Sequence, residues 1–219
     1  MTGSPLEILW RNFPLLLDGL RATLGIAVAS SLLSIIGGVL LGLLRASRAG
    51  AFVQTAARLY LELFRVIPIL VWLFLAFFAV PAAFNLNLSG TLAAIVVFSL
   101  WGAAEMSDIV RGALKTIPRP QYDAGLAIGL SSWQLHWRVI LPQAVRRMLP
   151  GAINLVTRII KTTSLVVVVG VVDVVKRSQQ IIERTKEPFV LYAFLLLLFF
   201  ALCYPLSRLS RRLERRWSD

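Results

Sequence analysis

The chain has 219 residues, of which 58% are hydrophobic, and a formal net charge of +12 at pH 7. Ordinary soluble domains are about 45–50% apolar, so this composition excludes a soluble domain and indicates a membrane protein. The charge does not indicate nucleic-acid binding, because the basic residues are concentrated in alternate loops between apolar segments.

Five apolar segments are long enough to cross the ~30 Å hydrocarbon core of a membrane, which takes about 20 helical residues. The predicted spans one to five are residues 20–44, 59–80, 91–110, 149–172 and 189–206. No soluble domain interrupts them. The sequence therefore predicts an all-α polytopic membrane bundle that forms one transmembrane domain over residues 1–219.

The basic residues predict which side of the membrane each loop occupies. They lie between spans one and two (Arg45, Arg48, Arg58), between spans three and four (Arg111, Lys115, Arg119, Arg138, Arg146, Arg147) and after span five (residues 208–216). The positive-inside rule makes these loops cytoplasmic. We therefore predict an N-terminus outside, a cytoplasmic C-terminus, and a basic tail that lies on anionic membrane lipid.

Span one contains several glycines, at positions 25, 37, 38 and 42. Small residues allow membrane helices to approach closely, so this pattern predicts tight packing within the bundle.

Near the cytoplasmic end of span two, Arg58, Glu62 and Arg65 share one helical face. We predict that these three form a structural ion-pair cluster, with a role as a gate as the alternative.

Spans three and four carry ionisable residues, which are costly inside a membrane and mark either a pathway or an ion pair. On span three, Glu105 and Asp108 share one face. On span four, Asn154, Arg158 and Lys161 share another. At 1.5 Å per residue, Glu105 and Arg158 lie at similar depths, so they can meet. They form either an interhelical pair or part of a polar cavity, and all five residues are candidates for a substrate path.

The hydrophilic segment 118–142 separates spans three and four. Pro118 and Pro120 end the preceding helix, because proline lacks a backbone donor and biases its predecessor away from the α region. Residues 121–128 then predict a short amphipathic helix, which Gly129 ends as its C′ residue. A helix this short needs tertiary contacts to be stable.

A second short helix follows the glycine. Ser131 and Gln134 have the spacing of a capping box, in which the serine is the N-cap and the glutamine is at N3. Leu141 and Pro142 are predicted to close this helix and lead into span four. The segment is therefore predicted to be a helix, a glycine turn and a helix at the cytoplasmic surface.

These residues resemble the EAA loop of binding-protein-dependent ABC importer permeases. The likeness comprises Tyr122-Asp123-Ala124-Gly125, then Gly129, then Ile140-Leu141-Pro142-Gln143. The sequence departs from the family pattern in three ways. Asp123 replaces a glutamate, Gly125 replaces the second alanine, and the residue between the isoleucine and the leucine is missing.

Three further stretches resemble the polar amino acid branch of the same family. They are Glu62-Leu63-Phe64-Arg65 with Pro68, Asp108-Ile109-Val110-Arg111-Gly112, and Lys161 followed by Thr163-Ser164-Leu165. The resemblance therefore covers most of residues 59–165.

The resemblance implies that 122–129 is a coupling helix that binds in a groove of a cytoplasmic ABC ATPase subunit. Its coupling residues would be Tyr122, Asp123, Ala124, Gly125, Gly129, Leu141 and Pro142. That subunit would bind ATP and Mg²⁺, while this chain, which has no Walker-type phosphate loop, would bind no cofactor and catalyse no reaction. The other implied partners are a second permease copy or paralogue and an extracytoplasmic amino-acid-binding protein, in a bacterial inner membrane.

The implied substrate is a polar amino acid, whose ammonium and carboxylate groups need one acid and one base. Glu105 and Arg158 supply these, although family members usually have an aromatic residue and a small polar residue there. Arg158 suits an acidic amino acid and Glu105 a basic one, so the substrate remains open.

Two other classes of protein fit the sequence less well. A membrane enzyme would need a cluster of catalytic groups, yet the only histidine, His136, has no nearby nucleophile and no metal-ligand spacing. An ion-coupled secondary transporter or another helical membrane protein is the remaining alternative, although such a transporter commonly shows inverted repeats, which these five spans lack.

Overall fold

The computed structural model describes residues 5–47 and 50–217, and every regular element in these two ranges is helical. The elements are α1 (Pro5–Arg11), α2 (Phe13–Ala46), α3 (Ala51–Val66), α4 (Ile69–Phe84), α5 (Gly90–Lys115), α6 (Arg119–Ala127), α7 (Ser132–Val169), α8 (Val174–Thr185) and α9 (Pro188–Trp217). Of the predicted loop cations, Arg48 lies outside the described residues.

Helices α2, α5, α7 and α9 are each long and apolar enough to span a membrane, and α3 with α4 supplies a fifth span if the bent pair counts as one. The predicted all-α membrane bundle of about five spans is therefore confirmed. Predicted spans one, three and five lie within α2, α5 and α9, which extend beyond them at both ends.

Helices α2 and α5 form the centre of the bundle and approach each other through glycines. A Cβ atom at Gly38 would lie only 2.3 Å from the Cβ of Met106, and one at Gly42 would lie 2.6 Å from the Cβ of Val110. Gly25, on the same helix, has no atom within 4 Å of such a position. The close contact therefore depends on Gly38 and Gly42, as expected for small residues between membrane helices.

Predicted span two, residues 59–80, is not one continuous helix. Helices α3 and α4 meet at 102°, with Ile67 and Pro68 between them. Ile67 is extended, at φ −84° and ψ 126°, because the ring of the following proline disfavours the α region. Pro68 thus bends the span at its own position.

Two later prolines do not break their helices. One π-helical turn, Leu75–Ala79, precedes Pro81, and another, His136–Ile140, precedes Pro142. The wider turn supplies an i−5 hydrogen bond just before the proline, where an ordinary turn would clash with its ring. The prediction that Pro142 closes a separate short helix is therefore wrong.

As a result, α7 begins well before predicted span four, residues 149–172. It runs from Ser132, tightens into a 3₁₀ segment over Thr163–Val169, and ends at Gly170, whose φ is +75°. The predicted span thus lies at the C-terminal part of a longer helix and overruns its end.

Helix α8 was not predicted. It follows Asp173, which caps its N-terminus, and it packs on α2 where Thr23 Oγ1 accepts a hydrogen bond from the backbone N–H of Val174 at 3.2 Å. An apolar cluster then joins α8 to α1, α2 and α9. Its buried members are Ile8, Leu16, Ile181 and Leu191.

Helix α9 continues through the basic tail to Trp217, so the arginines after span five lie on a helix. The hydroxyl of Ser210 donates to the carbonyl oxygen of Pro150 at 2.9 Å, which fixes the tail against α7.

Candidate functional site

The predicted short helix is present as α6, a nine-residue helix that starts after Pro118. Its end is a Schellman motif, because the N–H of Leu130 donates to the oxygen of Gly125 at 3.1 Å and that of Gly129 donates to Leu126 at 3.0 Å. Gly129 has φ +83°, the left-handed conformation that the motif requires. The glycine turn thus has a defined geometry.

The start of α7 is fixed against α6 with similar precision. Ser131 Oγ accepts a hydrogen bond from the backbone of Gln134 at 3.3 Å, and Gln134 Oε1 accepts one from the backbone of Ser131 at 3.0 Å. A Cβ atom at Gly125 would lie 2.4 Å from Cδ1 of the buried Leu135, so the missing side chain allows the two helices to touch. The capping box and this contact hold the pair in one arrangement.

The exposed surface of this pair has one acidic residue and several large apolar side chains among its polar residues. Asp123 and Ala124 are exposed, and Ile128 and Trp133 expose 78% and 71% of their surfaces. The ring of Trp137 is tilted against that of Trp133, with ring centroids 5.2 Å apart. An exposed apolar patch of this kind marks an interaction site. We name Asp123, Ala124, Ile128, Trp133 and Trp137 the docking face.

The other predicted coupling residues have supporting positions. Tyr122 is half-buried, and its ring meets that of His136 edge to face at 6.2 Å. Gly125 and Gly129 shape the turn. Leu141 is half-buried and Pro142 is exposed on α7, beyond the docking face.

The structure joins Glu105 on α5 to Arg158 on α7. Arg158 Nη1 donates to Glu105 Oε2 at 2.7 Å, and its guanidinium lies 5.0 Å above the ring of Trp101. The side chain of Glu105 is 28% exposed and that of Arg158 is 52% exposed. The pair therefore lies on the side of the bundle and not in its core.

The other polar residues of α7 lie on the same side. Asn154 and Lys161 are exposed, and Lys161 forms no ion pair within residues 5–47 and 50–217. Asn154 lines a groove of about 440 Å³ that Arg147 also lines. A polar strip along a spanning helix cannot face lipid at low cost, so it needs a protein or aqueous neighbour.

Asp108, a predicted candidate for the substrate path, contacts two arginines. Its Oδ1 accepts a hydrogen bond from Arg45 Nη1 at 2.8 Å, and its Oδ2 pairs with Arg65. Arg65 therefore contacts α5 and not Glu62. In the described part of the chain, neither Arg58 nor Glu62 forms an ion pair, so the predicted Arg58–Glu62–Arg65 cluster is wrong.

Sequence reasoning also missed the role of Asp173, the N-cap of α8. Its Oδ1 accepts a hydrogen bond from the backbone of Lys176 at 2.9 Å, while its buried Oδ2 has no partner among the described residues. Burial raises the pKa of this carboxyl, although backbone hydrogen bonds oppose the shift. Aspartate is one of the residues preferred at the N-cap of a helix, and this preference was the available signal.

These features define a class of protein. The chain is a bundle of membrane-length helices that presents a rigid helix pair with an apolar docking face at one end and a polar strip along one side. This is the architecture of the membrane subunit of a transporter that binds a partner.

Comparison with known proteins identifies the family. Residues 38–219 match the model of the family described as binding-protein-dependent transport system inner membrane component. The glutamine transport system permease protein GlnP of Escherichia coli is 36% identical over 212 residues, which cover 95% of each chain. The probable glutamine ABC transporter permease protein GlnP of Bacillus subtilis is 34% identical over 202 residues, which cover 91% of this chain and 92% of that protein.

Solved structures share the fold. The chain aligns with the crystal structure of an amino acid ABC transporter with histidines at a TM-score of 0.88 and 24% identity, covering 99% of this chain and 100% of that one. It aligns with an inward-facing conformation of the MetNI methionine ABC transporter at a TM-score of 0.77 and 21% identity, covering 95% and 99%.

The chain therefore belongs to the family of binding-protein-dependent transport system inner membrane components. The predicted identity as a non-catalytic permease subunit in the inner membrane is confirmed. Membership implies that a binding protein and an ATPase are its partners.

Proposed function

We propose that this chain is the permease subunit of an ATP-driven importer of a polar amino acid. An extracytoplasmic binding protein delivers the amino acid, this chain supplies the path, and a separate cytoplasmic subunit hydrolyses ATP. The observation that carries the coupling part of this proposal is the docking face, which is exposed, largely apolar and held rigid by the Schellman motif and the capping box.

The ATPase subunit covers the docking face and binds ATP and Mg²⁺ itself, so no cofactor binds to this chain. Asp123 gives the contact its one negative charge and Ile128 its most exposed apolar side chain. Because the glycine turn fixes α6 against α7, a displacement of α6 is transmitted to the long helix that carries Arg158.

The substrate path follows the polar strip. Glu105, Asn154, Arg158 and Lys161 line it, and a second permease copy or paralogue covers the strip from the opposite side. The half-exposed Glu105–Arg158 pair supports this placement, because such groups at membrane depth need a partner that excludes lipid. The structure shows Asp108 bound to two arginines, so we now propose that it has a structural role.

Glutamine is the amino acid that we propose for the first test. The relatives from Escherichia coli and Bacillus subtilis are named for glutamine. The side chain of glutamine is uncharged, so only its ammonium and its carboxylate need a counter-charge. Glu105 supplies one for the ammonium and Arg158 supplies one for the carboxylate.

The proposed topology places α6 and the C-terminus of α9 in the cytoplasm and the N-terminus outside. The ends of α2, α5 and α9 that carry the arginines then face the cytoplasm, on anionic lipid, as the positive-inside rule requires.

The coupling proposal is tested by variants of α6 in the complex with its ATPase subunit. Asp123→Lys reverses the charge of the docking face, and Gly129→Ala strains the turn at φ +83°. Both should reduce co-purification of the ATPase and the ATP hydrolysis that the loaded binding protein stimulates.

Gly112→Ala is the matched control, because no atom lies within 4 Å of a Cβ at this helical position. Normal co-purification and normal stimulated hydrolysis in both α6 variants would refute the coupling role. Glutamine uptake that persists without any ATPase subunit would favour the alternative, an ion-coupled transporter.

A further inference from the structure

A second polar cavity, of about 440 Å³, lies where the C-terminal ends of α2 and α5 meet α6 and the start of α7. It is separate from the docking face and from the polar strip. Its polar lining comes from four elements: Arg45 and Ser47 at the end of α2, Arg111 and Lys115 on α5, Tyr122 on α6, and His136 on α7.

The cavity has an excess of positive charge that no lining side chain offsets. Arg111 and Lys115 form no ion pair within the described ranges of the chain, and none of the described lining residues is acidic. Arg45 shares Asp108 with Arg65, so that trio also retains one positive charge. Cations that line one cavity repel one another. An anion between Arg45, Arg111 and Lys115 therefore lowers the electrostatic energy of all three.

The walls of the cavity indicate what kind of anion fits. Leu43 and Leu114 form its apolar lining, and α2 continues away from it with the exposed leucines Leu40 and Leu44. An occupant therefore meets cations at the helix ends and hydrocarbon along the helix. This combination suits an amphiphile with an anionic head and an apolar body.

We propose that this cavity binds the phosphate headgroup of one anionic phospholipid, with Arg111 and Lys115 as its main ligands and the acyl chains along α2. Tyr122 contributes a hydroxyl from α6, immediately before Asp123 of the docking face. The lipid thereby joins the ends of two spanning helices to the coupling element. Only this last consequence rests on the proposed coupling function.

The chain contains a natural control for diffuse electrostatics. A second basic cavity, of about 310 Å³, is lined by Tyr204, Arg208, Arg211, Arg212 and Arg215. All of these come from the single helix α9. It therefore offers the same kind of charge without walls from several helices, and we expect it to attract anionic lipid without retaining an individual molecule.

The test measures lipid retention by the purified permease–ATPase complex with native mass spectrometry, after exchange into phosphatidylglycerol or phosphatidylcholine. We compare the wild type, Arg111→Gln/Lys115→Gln and Arg211→Gln/Arg215→Gln. The first double variant should bind phosphatidylglycerol about 30-fold more weakly, at roughly fivefold per cation, while the second retains it. Phosphatidylcholine should not be retained by any of them.

Equal losses in both double variants, or no loss in the first, would overturn the proposal. So would displacement of phosphatidylglycerol by millimolar inorganic phosphate, which would make the site one for free phosphate. If the first double variant does not fold, Lys115→Gln alone decides the matter, with an expected loss of about fivefold. Because retention needs no ATP turnover, failure of the coupling proposal leaves this result intact.

Discussion

Arg158 donates to Glu105 across 2.7 Å while its guanidinium stacks on Trp101, so one arginine ties α7 to α5 through two contacts of different chemistry. The carboxylate alone does not hold it. In the proposed substrate path, we expect a substrate carboxylate to replace Glu105 while the ring keeps the guanidinium in place.

The first prediction separates structural pairing from substrate binding at this site. Glu105→Gln and Arg158→Gln should each lower thermal stability, by about 0.5–2 kcal/mol, and should strongly reduce uptake into proteoliposomes. The exchange variant Glu105→Arg/Arg158→Glu restores the pair with its charges reversed. It should recover stability but not uptake, because the substrate's ammonium and carboxylate would meet the wrong groups.

Melting temperature and glutamine uptake are measured on the same four preparations. An exchange variant that transports as well as the wild type would show that the pair has only a structural role.

The second prediction concerns Asp108, which accepts from both Arg45 and Arg65. Asp108→Asn keeps the shape but leaves two cations without their counter-charge. Because the side chain of Arg45 is only 7% exposed, we expect a loss on the order of 2 kcal/mol in the free energy of unfolding.

Glu62→Gln provides the comparison, since it removes an exposed acid one helix away that has no ion pair in the described structure. Its effect should stay within about 0.5 kcal/mol. Denaturation monitored by circular dichroism measures both, and similar losses would contradict the assignment of Arg65 to Asp108.

The third prediction tests the contact between α2 and α5. Gly38→Ala places a methyl group 2.3 Å from the Cβ of Met106, which forces the helices apart and should cost about 1–3 kcal/mol. Gly25→Ala makes the same change on the same helix in open space. It should cause no loss, and a thermal melt of the two variants distinguishes them. Equal melting temperatures would mean that α2 and α5 do not pack through Gly38.

The fourth prediction is a pH dependence from Asp173. Burial raises the pKa of its carboxyl in the folded state, so the fold binds a proton more tightly than the unfolded chain does. The stability that this residue contributes is therefore fully present below its unfolded pKa of about 3.9 and is lost as the pH rises through the folded pKa.

Asp173→Asn removes the titration and keeps an N-cap of similar strength. The stability of the wild type relative to this variant should fall as the pH increases from 4 to 7. Thermal unfolding at a series of pH values measures the difference, and parallel profiles for the two proteins would rule out a raised pKa.

Features decided by neighbouring residues could be predicted from the sequence. Gly129 and the Ser131–Gln134 box act over three or four residues, so their hydrogen bonds follow directly from residue type and spacing. The Glu105–Arg158 contact was also within reach, because helical rise gives both residues the same depth.

Features that depend on distant or compensating structure were missed. A proline such as Pro142 usually ends a helix. Only the π-helical turn before it allows α7 to continue. Arg45 and Asp108 are 63 residues apart, and nothing local to either shows that Gly38 and Gly42 bring their helices together. Residues 59–80 were predicted as one span although Pro68 lies within them, and the 102° angle depends on the packing of both halves.

The bend at Pro68 makes α3 a lever. This 16-residue helix is roughly 24 Å long, so a rotation of about 10° at Ile67 would move its far end by about 4 Å. Arg65 lies two residues from the pivot, roughly 3 Å along the helix axis, where the same rotation shifts it by only about 0.5 Å. Small rotations of α3 about Ile67 therefore preserve the ion pair between Arg65 and Asp108. The N-terminal end of the helix moves several times further than Arg65 does.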